Sequence, residues 1–341
     1  MPARRSPSPR PRRALLVAAA LLLVAGCGGS DSGGGGRGGG GGTPSQPAKV
    51  DVGTLPISNA APMYLGMRKG FFKEEGLELV PHVAQNGAEL ITGALSGSFD
   101  FIFAGYIPSI VARAKGLPIT VVAASDLGAK ENSDEWTVTL SKRGSDIRDP
   151  KDLEGRTIAV NGLRGVGEVV IKASLEKQGV DPKSIKLLEV PFPEMPVALE
   201  RGRVDAIWAA EPFLSQELAE GAREVDAPLV TLAPNFVNGG YEANDKYIAQ
   251  NGDVVERFNR AMSRSVDYAQ AHPDEVRRTI PTFTKIPAAV AQKIRLPVWS
   301  SKLDRRLLQQ AADYTKRYGI IKQAPEVGEM VWKGVGAPTG S

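Results

Sequence analysis

Apolar and polar positions along most of this chain follow two periods, and together the two periods predict an α/β protein. Short β-rich runs bounded by turn residues predict strands, and apolar residues at helical spacing between them predict amphipathic helices. Asn86 followed by Glu89 is typical of a helix start, and Gly76 marks a helix end. The predicted strands include 49–55, 118–125, 135–142 and 156–160, and a helical tail is predicted over 254–271, 287–297 and 304–318.

The same order of elements occurs twice along the chain. The segments "GSFDFIFAG" (97–105) and "GRVDAIWAA" (202–210) match at Gly, Asp, Ile, an aromatic residue and Ala. Two copies this far apart do not suit a solenoid and predict two similar α/β lobes, each a mostly parallel sheet flanked by helices. We expect lobe I to consist of 50–133 and 238–341, with the helical tail packed on it, and lobe II to consist of 134–237.

The loops that follow the predicted strands are the expected ligand site. In open α/β sheets, ligands bind beyond the carboxyl ends of the strands, where helix N-termini with unpaired N–H groups attract anions. Two facing lobes would bring six such loops around one cleft. The candidate ligand-binding residues are Ser58, Asn59, Asn86, Gly87 and Tyr106 in lobe I, and Asn161, Arg164, Gly165 and Glu211 in lobe II.

Several of these residues have an equally simple structural interpretation. Asn86 suits a helix cap as well as a ligand contact, and Arg164 suits either an acid group of the ligand or an exposed turn. Glu211 would repel a bare anion and pair with an amine or a ring N–H, or it could interact only with a helix N-terminus. Trp208 is predicted as a core residue of its strand in preference to a stacking platform. Asp126, Asp134, Glu135 and Trp136 lie near the crossing between the lobes, where one of them is expected to make a hinge contact and most of them to be solvated.

The N-terminal segment predicts export and a lipid anchor. Five arginines precede an apolar stretch from Ala14 to Ala25 that is too short for a ~30 Å hydrocarbon core, as in a secretory signal. Residues 23–27, "LVAGC", resemble the bacterial lipobox, so Cys27 is the expected lipidation site and 1–26 the signal peptide; the choice between Sec and twin-arginine export stays open. The glycine-rich segment 27–49 predicts a flexible tether.

The charge of the chain depends on that signal segment. The 341 residues contain 42 Lys and Arg against 38 Asp and Glu, and five of the arginines lie in 1–26. Without them the remainder is close to neutral, so nothing in the composition predicts a nucleic-acid partner.

The motifs in the strand-end loops carry a family resemblance. "APMYLGMRKGFFKEEGLELVP", "DLEGRTIAVNGLRGVGE" and "ALERGRVDAIWAAEPF" resemble the solute-binding proteins of ABC importers of the sulfonate, nitrate and taurine type, from about 50 to 267. The resemblance implies a type II periplasmic-binding-protein fold. It also implies an extracytoplasmic, lipid-anchored monomer that closes on a small polar or anionic organic solute and delivers it to an ABC permease and its ATPase.

Two other functions stay open, and catalysis is not expected. A receptor that presents its ligand to a membrane sensor would have the same fold, and a site with Glu211 would also suit a nitrogen heterocycle such as a thiamin-pyrimidine precursor. A related eukaryotic branch makes the thiamin pyrimidine with a cysteine-rich motif, which this chain lacks. The two histidines, His82 and His272, have no nucleophile nearby in sequence, and no cofactor or metal motif is found.

Overall fold

The computed structural model describes residues 47–336. The predicted signal peptide, the lipidation site Cys27 and nearly all of the predicted tether lie outside the described residues. The strands in the described part are β1 (Ala48–Thr54), β2 (Leu77–Val83), β3 (Phe101–Gly105), β4 (Ile119–Leu127), β5 (Thr137–Ser141), β6 (Thr157–Val160), β7 (Lys186–Glu189), β8 (Ala206–Ala210), β9 (Arg223–Asp226), β10 (Val237–Asn244) and β11 (Val298–Trp299).

Helices lie between most of these strands. They are α1 (Ala61–Lys69), α2 (Phe71–Glu74), α3 (Gly87–Ser96), α4 (Tyr106–Ala114), α5 (Val166–Lys177), α6 (Met195–Glu200), α7 (Phe213–Ala219), α8 (Pro228–Leu232), α9 (Asp245–Gln250), α10 (Gly252–Ala271), α11 (Pro273–Thr279), α12 (Pro281–Thr284), α13 (Ala288–Ala291) and α14 (Arg305–Arg317). Within 47–336, no helix combines the length and the apolar content that crossing a membrane requires.

The strands form two sheets, one in each lobe. The sheet of lobe I has the order β11-β4-β10-β3-β1-β2, and the sheet of lobe II has the order β7-β6-β8-β5-β9. β1 to β4 run in one direction, while β10 and β11 are antiparallel to their neighbours. In lobe II only β5 runs against the other four strands. The predicted two-lobed α/β fold is confirmed.

The sheets are mixed because of where the chain passes between the lobes. β5 is the first strand after the passage into lobe II, and β10 is the first strand after the return to lobe I. Each of them enters between two strands that run the opposite way, β5 between β8 and β9 and β10 between β3 and β4. This pattern leaves the parallel strands of both sheets with their carboxyl ends free to face one cleft.

The core of lobe I is built around α10, whose apolar face covers the sheet and α1. Phe258 of α10 stacks on Phe101 of β3 with ring centroids 3.9 Å apart and also contacts Tyr241 of β10 edge-on. All three rings are fully buried. Aromatic contacts of this kind add to the burial of apolar area, so α10 is held to lobe I by its side chains.

The helical tail agrees with the prediction at its ends and differs in its middle. The helix predicted over 287–297 is wrong: only α13 is helical there, and an irregular segment leads on to β11. Pro297 disfavours helix at the residue before it. Arg295 also bonds to lobe II: its guanidinium donates to both carboxylate oxygens of Glu224, at 2.6 and 3.0 Å.

The last long helix, α14, also contacts both lobes. It packs against α4 of lobe I, while residues at its end reach α5 of lobe II. Arg317 lies 2.9 Å from a carboxylate oxygen of Glu176, and the Tyr318 hydroxyl donates to the other oxygen at 2.7 Å. The tail therefore carries two anchors into lobe II, at Glu176 and at Glu224.

Candidate functional site

The cleft between the lobes contains a cavity of about 280 Å³. On the lobe I side it is lined by the end of β3, the start of α3 and one face of α4. On the lobe II side it is lined by the loop 161–165, the start of α5 and Trp208 of β8. These are the strand ends and helix N-termini that the sequence predicts as the ligand site.

The two lobes touch at the inner end of this cavity. A β-carbon built on Gly105, at the end of β3, would lie 2.3 Å from the Cγ2 atom of Val166 in α5. On the lobe II side, a β-carbon on Gly167 would lie 2.5 Å from the ring of Trp208. Both glycines are needed for close approach: one lets the lobes meet, and the other lets α5 pack directly on the β8 tryptophan.

A hydrogen-bonded link also crosses the mouth of the cleft. Asn86 of lobe I donates from Nδ2 to Glu189 Oε1 at 3.0 Å, and the Leu163 amide of lobe II donates to Glu189 Oε2 at 3.1 Å. Both Asn86 and Glu189 line the cavity. Glu189 therefore joins the helix start of lobe I to the glycine-containing loop of lobe II, and the chain has the geometry of a closed cleft.

Aromatic side chains form much of the cavity wall. Trp136, Phe192 and Trp208 all line it and are almost completely buried. The Trp136 indole is fixed by its Nε1 donating to the Leu127 carbonyl at 2.9 Å, and Phe192 lies against Trp208 with centroids 5.9 Å apart. Trp208 is thus buried in its strand and also part of the wall. Flat apolar surfaces of this kind suit a planar solute.

Two amide side chains supply polar groups to the otherwise largely apolar cavity wall. Asn161, at the end of β6, lines the cavity, and among residues 47–336 its side chain has no hydrogen-bond partner. Asn238, in β10, lines the cavity as well and donates from Nδ2 to the buried carboxylate of Asp126 at 2.6 Å. The free Asn161 amide can therefore act as donor or acceptor toward a solute.

The helix N-termini at the cleft already have acidic partners of their own. Asn86 caps α3 by accepting from the Glu89 amide at 2.9 Å, and the Glu89 carboxylate accepts from the Gln85 amide at 2.7 Å. At α5, Glu168 accepts from the Arg164 amide at 2.8 Å. These carboxylates offset the positive ends of both helices, which lowers their attraction for a bare anion.

Arg164 and Lys115 are the basic residues among those that line the cavity. Both side chains are exposed, and Arg164 has a left-handed backbone with φ of 59° at the outer rim of the loop 161–165. The cations therefore stand at the edge of the cavity, while its floor is formed by apolar and amide groups.

Five of the nine predicted ligand-binding residues line the cavity and four lie outside its lining. Asn86, Gly87, Asn161, Arg164 and Gly165 belong to the first set, and Ser58, Asn59, Tyr106 and Glu211 to the second. All four residues of the second set are buried in the packed interior. The predicted loops thus lie at the cleft, but these four side chains point away from the cavity.

Ser58 and Asn59 belong to a single helical turn, Ser58–Ala60, at the base of the cleft. The Ser58 amide donates across the lobes to the Glu211 carbonyl at 2.9 Å. The Asn59 Nδ2 donates to Asp126 Oδ2 at 2.7 Å. Both residues therefore connect buried elements behind the cavity wall.

Tyr106 begins α4, as predicted, but its ring points into lobe I. A β-carbon on Gly240 of β10 would lie 2.6 Å from the Tyr106 hydroxyl, so the ring occupies the space above that glycine. Burial raises the pKa of Tyr106, with further contributions from the Asp126 and Glu242 carboxylates.

Glu211 is enclosed by donors of the protein itself. Its carboxylate accepts from the Ser215 amide at 3.1 Å, the Ser215 hydroxyl at 2.7 Å and the Arg295 amide at 2.9 Å. Burial raises its pKa to about 7, against the lowering effect of those donors. The carboxylate thus binds the start of α7 and the tail segment, and it does not line the cavity.

The expectation that most of the residues at the crossing are solvated is wrong, since Asp126, Glu135 and Trp136 are buried. Burial raises the pKa of Asp126 to about 7, and burial also raises that of Glu135 to about 7. Glu135 accepts from the Ala129 and Trp136 amides, both at 3.0 Å, and so fixes the passage from β4 to β5. Asp134, next to it, is exposed. Among residues 47–336, no group of three or more His, Cys, Asp or Glu has the arrangement of a metal site.

Residues that line the cavity but were not among the predicted ligand contacts include Trp136, Glu189, Phe192 and Asn238. Trp136 lies within the predicted strand 135–142, Glu189 ends β7, Phe192 follows it closely, and Asn238 lies in β10. The sequence does not show on which side of a strand or loop each of these side chains emerges.

Comparison with known proteins places the chain among proteins of related sequence and fold. A family model described as "NMT1/THI5 like" matches residues 57–276. A 4-amino-5-hydroxymethyl-2-methylpyrimidine phosphate synthase from Aspergillus parasiticus is 26% identical over 273 residues, which cover 75% of this chain and 73% of that protein. A formylaminopyrimidine-binding protein from Halalkalibacterium halodurans is 25% identical over 218 residues, which cover 62% of this chain and 63% of that protein.

A solved structure with the same fold is the periplasmic aliphatic sulphonate binding protein SsuA from Escherichia coli. It superposes with a TM-score of 0.69 at 18% sequence identity, over 85% of this chain and 99% of that chain. At this identity the match shows the fold, which is the type II periplasmic-binding-protein fold implied by the sequence motifs.

Proposed function

This chain belongs to the NMT1/THI5-like family, and from that premise we propose that it is the solute-binding component of an ABC importer, which holds a small organic solute between its two lobes. The single observation that carries the proposal is the closed, aromatic-walled cavity at the meeting point of the strand ends. Its volume of about 280 Å³ suits a solute of one or two rings. The expected partners are a membrane permease and its ATPase.

The solute class that best suits the cavity is a planar nitrogen heterocycle of the aminopyrimidine type. Trp136, Phe192 and Trp208 offer faces for an aromatic ring, and Asn161 and Asn238 offer amide groups for its ring nitrogens and exocyclic N–H groups. Pyrimidines appear in the names of the enzyme and of the binding protein that are similar in sequence to this chain.

A sulfonate, taurine or nitrate fits this cavity less well. Such anions need cations or unpaired N–H groups at the floor of the site. Here Arg164 and Lys115 are at the rim, and Glu89, Glu168 and Glu189 already carry negative charge at the helix starts and the mouth. The electrostatics therefore favour a neutral or weakly basic solute.

Binding without catalysis is the expected activity. Neither histidine lines the cavity, and His82 lies 2.7 Å from Asp51 at the β1–β2 edge of lobe I. The one cysteine, Cys27, belongs to the lipobox-like segment, where we expect a lipid to hold the protein at the outer face of the cell membrane. This arrangement suits a receptor that captures its solute next to a permease.

The proposal is tested by binding measurements on the purified protein. Isothermal titration calorimetry and thermal-shift assays are run with 4-amino-5-hydroxymethyl-2-methylpyrimidine, formylaminopyrimidine, a short alkanesulfonate, taurine and nitrate. We expect saturable binding of a pyrimidine, with a stabilisation of about 2.7 kcal/mol at a hundred times its Kd. Saturable binding of the anions, with no pyrimidine bound, would contradict the proposed solute class.

A matched pair of variants separates cavity contacts from general effects. Asn161→Ala removes the free amide at the cavity and should weaken pyrimidine binding about tenfold. Asn132→Ala changes an exposed asparagine that does not line the cavity, and its affinity should equal that of the unmodified protein. Equal affinity of both variants would remove Asn161 from the site.

A further inference from the structure

Asn238 lies at an irregularity in β10 beside the cavity. In the pairing of β10 with β4, Val237 is opposite Leu127 and Gly239 is opposite Asp126, so Asn238 is the extra residue of a β-bulge. Bulges redirect a side chain relative to the regular alternation of a strand. Here the redirected side chain is one that lines the cavity, although only 7% of the residue is exposed.

The orientation of the Asn238 amide is set by Asp126. Its Nδ2 donates to Asp126 Oδ2 at 2.6 Å, and the same oxygen accepts from Asn59 Nδ2 at 2.7 Å. With the amide turned over, the Asn238 carbonyl oxygen would face the Asp126 oxygen at hydrogen-bond distance, which is repulsive. Asp126 is 1% exposed, so no solvent is available to relieve that repulsion.

The consequence is a carbonyl oxygen with a fixed direction and no partner. Among residues 47–336, no donor bonds to Asn238 Oδ1, and this atom is not among the buried polar atoms that lack a partner. Asp126 uses one of the two N–H groups of Nδ2, whereas the acceptor Oδ1 is wholly unused in a residue that lines the cavity.

We propose that Asn238 is a specificity-determining residue whose Oδ1 accepts an N–H group of the solute, and that Asp126 is the positioning residue that holds it in this orientation. The inference rests on the proposed function and makes it more specific. Asn161 has a free amide that can turn to suit either a donor or an acceptor, whereas Asn238 holds its carbonyl oxygen in a fixed position as an acceptor. The site should therefore select solutes with an amino group, such as a 4-aminopyrimidine, over those that lack it.

This orientation does not depend on the ionisation of Asp126. Its Oδ2 already accepts two N–H groups, while Oδ1 has no hydrogen-bond partner in the part of the chain that the structure describes. A proton on this carboxyl group would therefore reside on Oδ1 and leave both amide bonds in place. The preference for an amino group should hold on both sides of neutral pH.

The test compares two probes by isothermal titration calorimetry: 4-amino-5-hydroxymethyl-2-methylpyrimidine and the analogue with hydrogen in place of the 4-amino group. We expect the unmodified protein to bind the amino probe at least tenfold more tightly. In Asn238→Ala the two affinities should come within threefold of each other, while Asn132→Ala keeps the original ratio. The ratio is the readout because damage to the fold lowers both affinities together.

Asp126→Ala tests the positioning role and also serves if Asn238→Ala does not fold. Without an acceptor at position 126 the Asn238 amide can adopt either orientation, so the preference for the amino probe should fall. A tenfold preference that survives in Asn238→Ala overturns the inference, and one that survives only in Asp126→Ala overturns the role of Asp126. If the unmodified protein binds both probes equally, the inference about Asn238 is overturned and the proposed solute class stands. If it binds neither probe, both the inference and the proposed solute class are overturned.

Discussion

The carboxylate of Glu211 should contribute to stability in a way that depends strongly on pH. Glu211→Ala leaves the buried Ser215 and Arg295 amides without their acceptor, and each unsatisfied buried group costs about 1–3 kcal/mol. The Ser215 hydroxyl also loses its partner but can rotate. At pH 5, where the folded protein keeps Glu211 protonated, we expect the free energy of unfolding to fall by roughly 2–4 kcal/mol.

The loss should shrink as the pH rises. The pKa of Glu211 is raised from 4.5 to about 7 in the folded protein, so the unfolded chain releases this proton first. The native protein therefore loses stability as the pH increases from about 4.5 to 7, by on the order of 3 kcal/mol at 1.36 kcal/mol per pKa unit. The alanine variant lacks this loss, and at pH 8 the two proteins should be nearly equal in stability.

Urea unfolding at pH 5 and pH 8 measures both values. Ser215→Ala is the matched control, because it removes one donor to the same carboxylate and keeps the amide donors. It should cost about 1 kcal/mol and keep a decline of stability with rising pH. The decline should extend to higher pH, because a donor that lowers the pKa of Glu211 has been removed. A Glu211→Ala variant that is destabilised equally at both pH values would refute this account of the carboxylate.

Three further predictions concern the core, the cleft and the anchor. Burial raises the pKa of Glu242 from 4.5 to about 8, so Glu242→Gln should flatten the decline of stability between those pH values by up to roughly 5 kcal/mol. An unchanged pH profile in urea unfolding would contradict the assignment. Glu189→Ala removes the link across the cleft mouth and should raise the rate of pyrimidine release about two- to fivefold in stopped-flow fluorescence, whereas slower release would contradict a closing role. Cys27→Ser should move the protein from the membrane fraction to the soluble fraction and remove a diacylglycerol mass from the intact protein; membrane retention would exclude lipidation at this cysteine.

Much of the fold was predictable because its signals are local. Strand composition gave β1, β4, β5 and β6 within about two residues, and the Asn86–Glu89 pattern gave the start of α3 together with its hydrogen bond. The failure at 287–297 has a non-local cause, since Arg295 bonds to Glu224 and Glu211 of the other lobe. Helical periodicity does not report such partners.

The candidate site was predictable at the level of loops and less so for side chains. Asn161 and Arg164 line the cavity as expected from their place after a strand. Glu211 also follows a strand, but its carboxylate turns to α7 and the tail because donors are available there. Asn238 lines the cavity at a β-bulge of β10. The position of a bulge depends on the register between two strands that are distant in sequence, so the sequence pattern does not predict it.

The two anchors of the C-terminal tail have a consequence for the kinetics of solute exchange. Arg317–Glu176 and Arg295–Glu224 join the tail, which packs on lobe I, to two separate points on lobe II. Under the proposed function, parting of the lobes has to stretch or break these ion pairs. Because dissolved salt weakens partly exposed ion pairs, uptake and release of the solute should both accelerate as ionic strength rises.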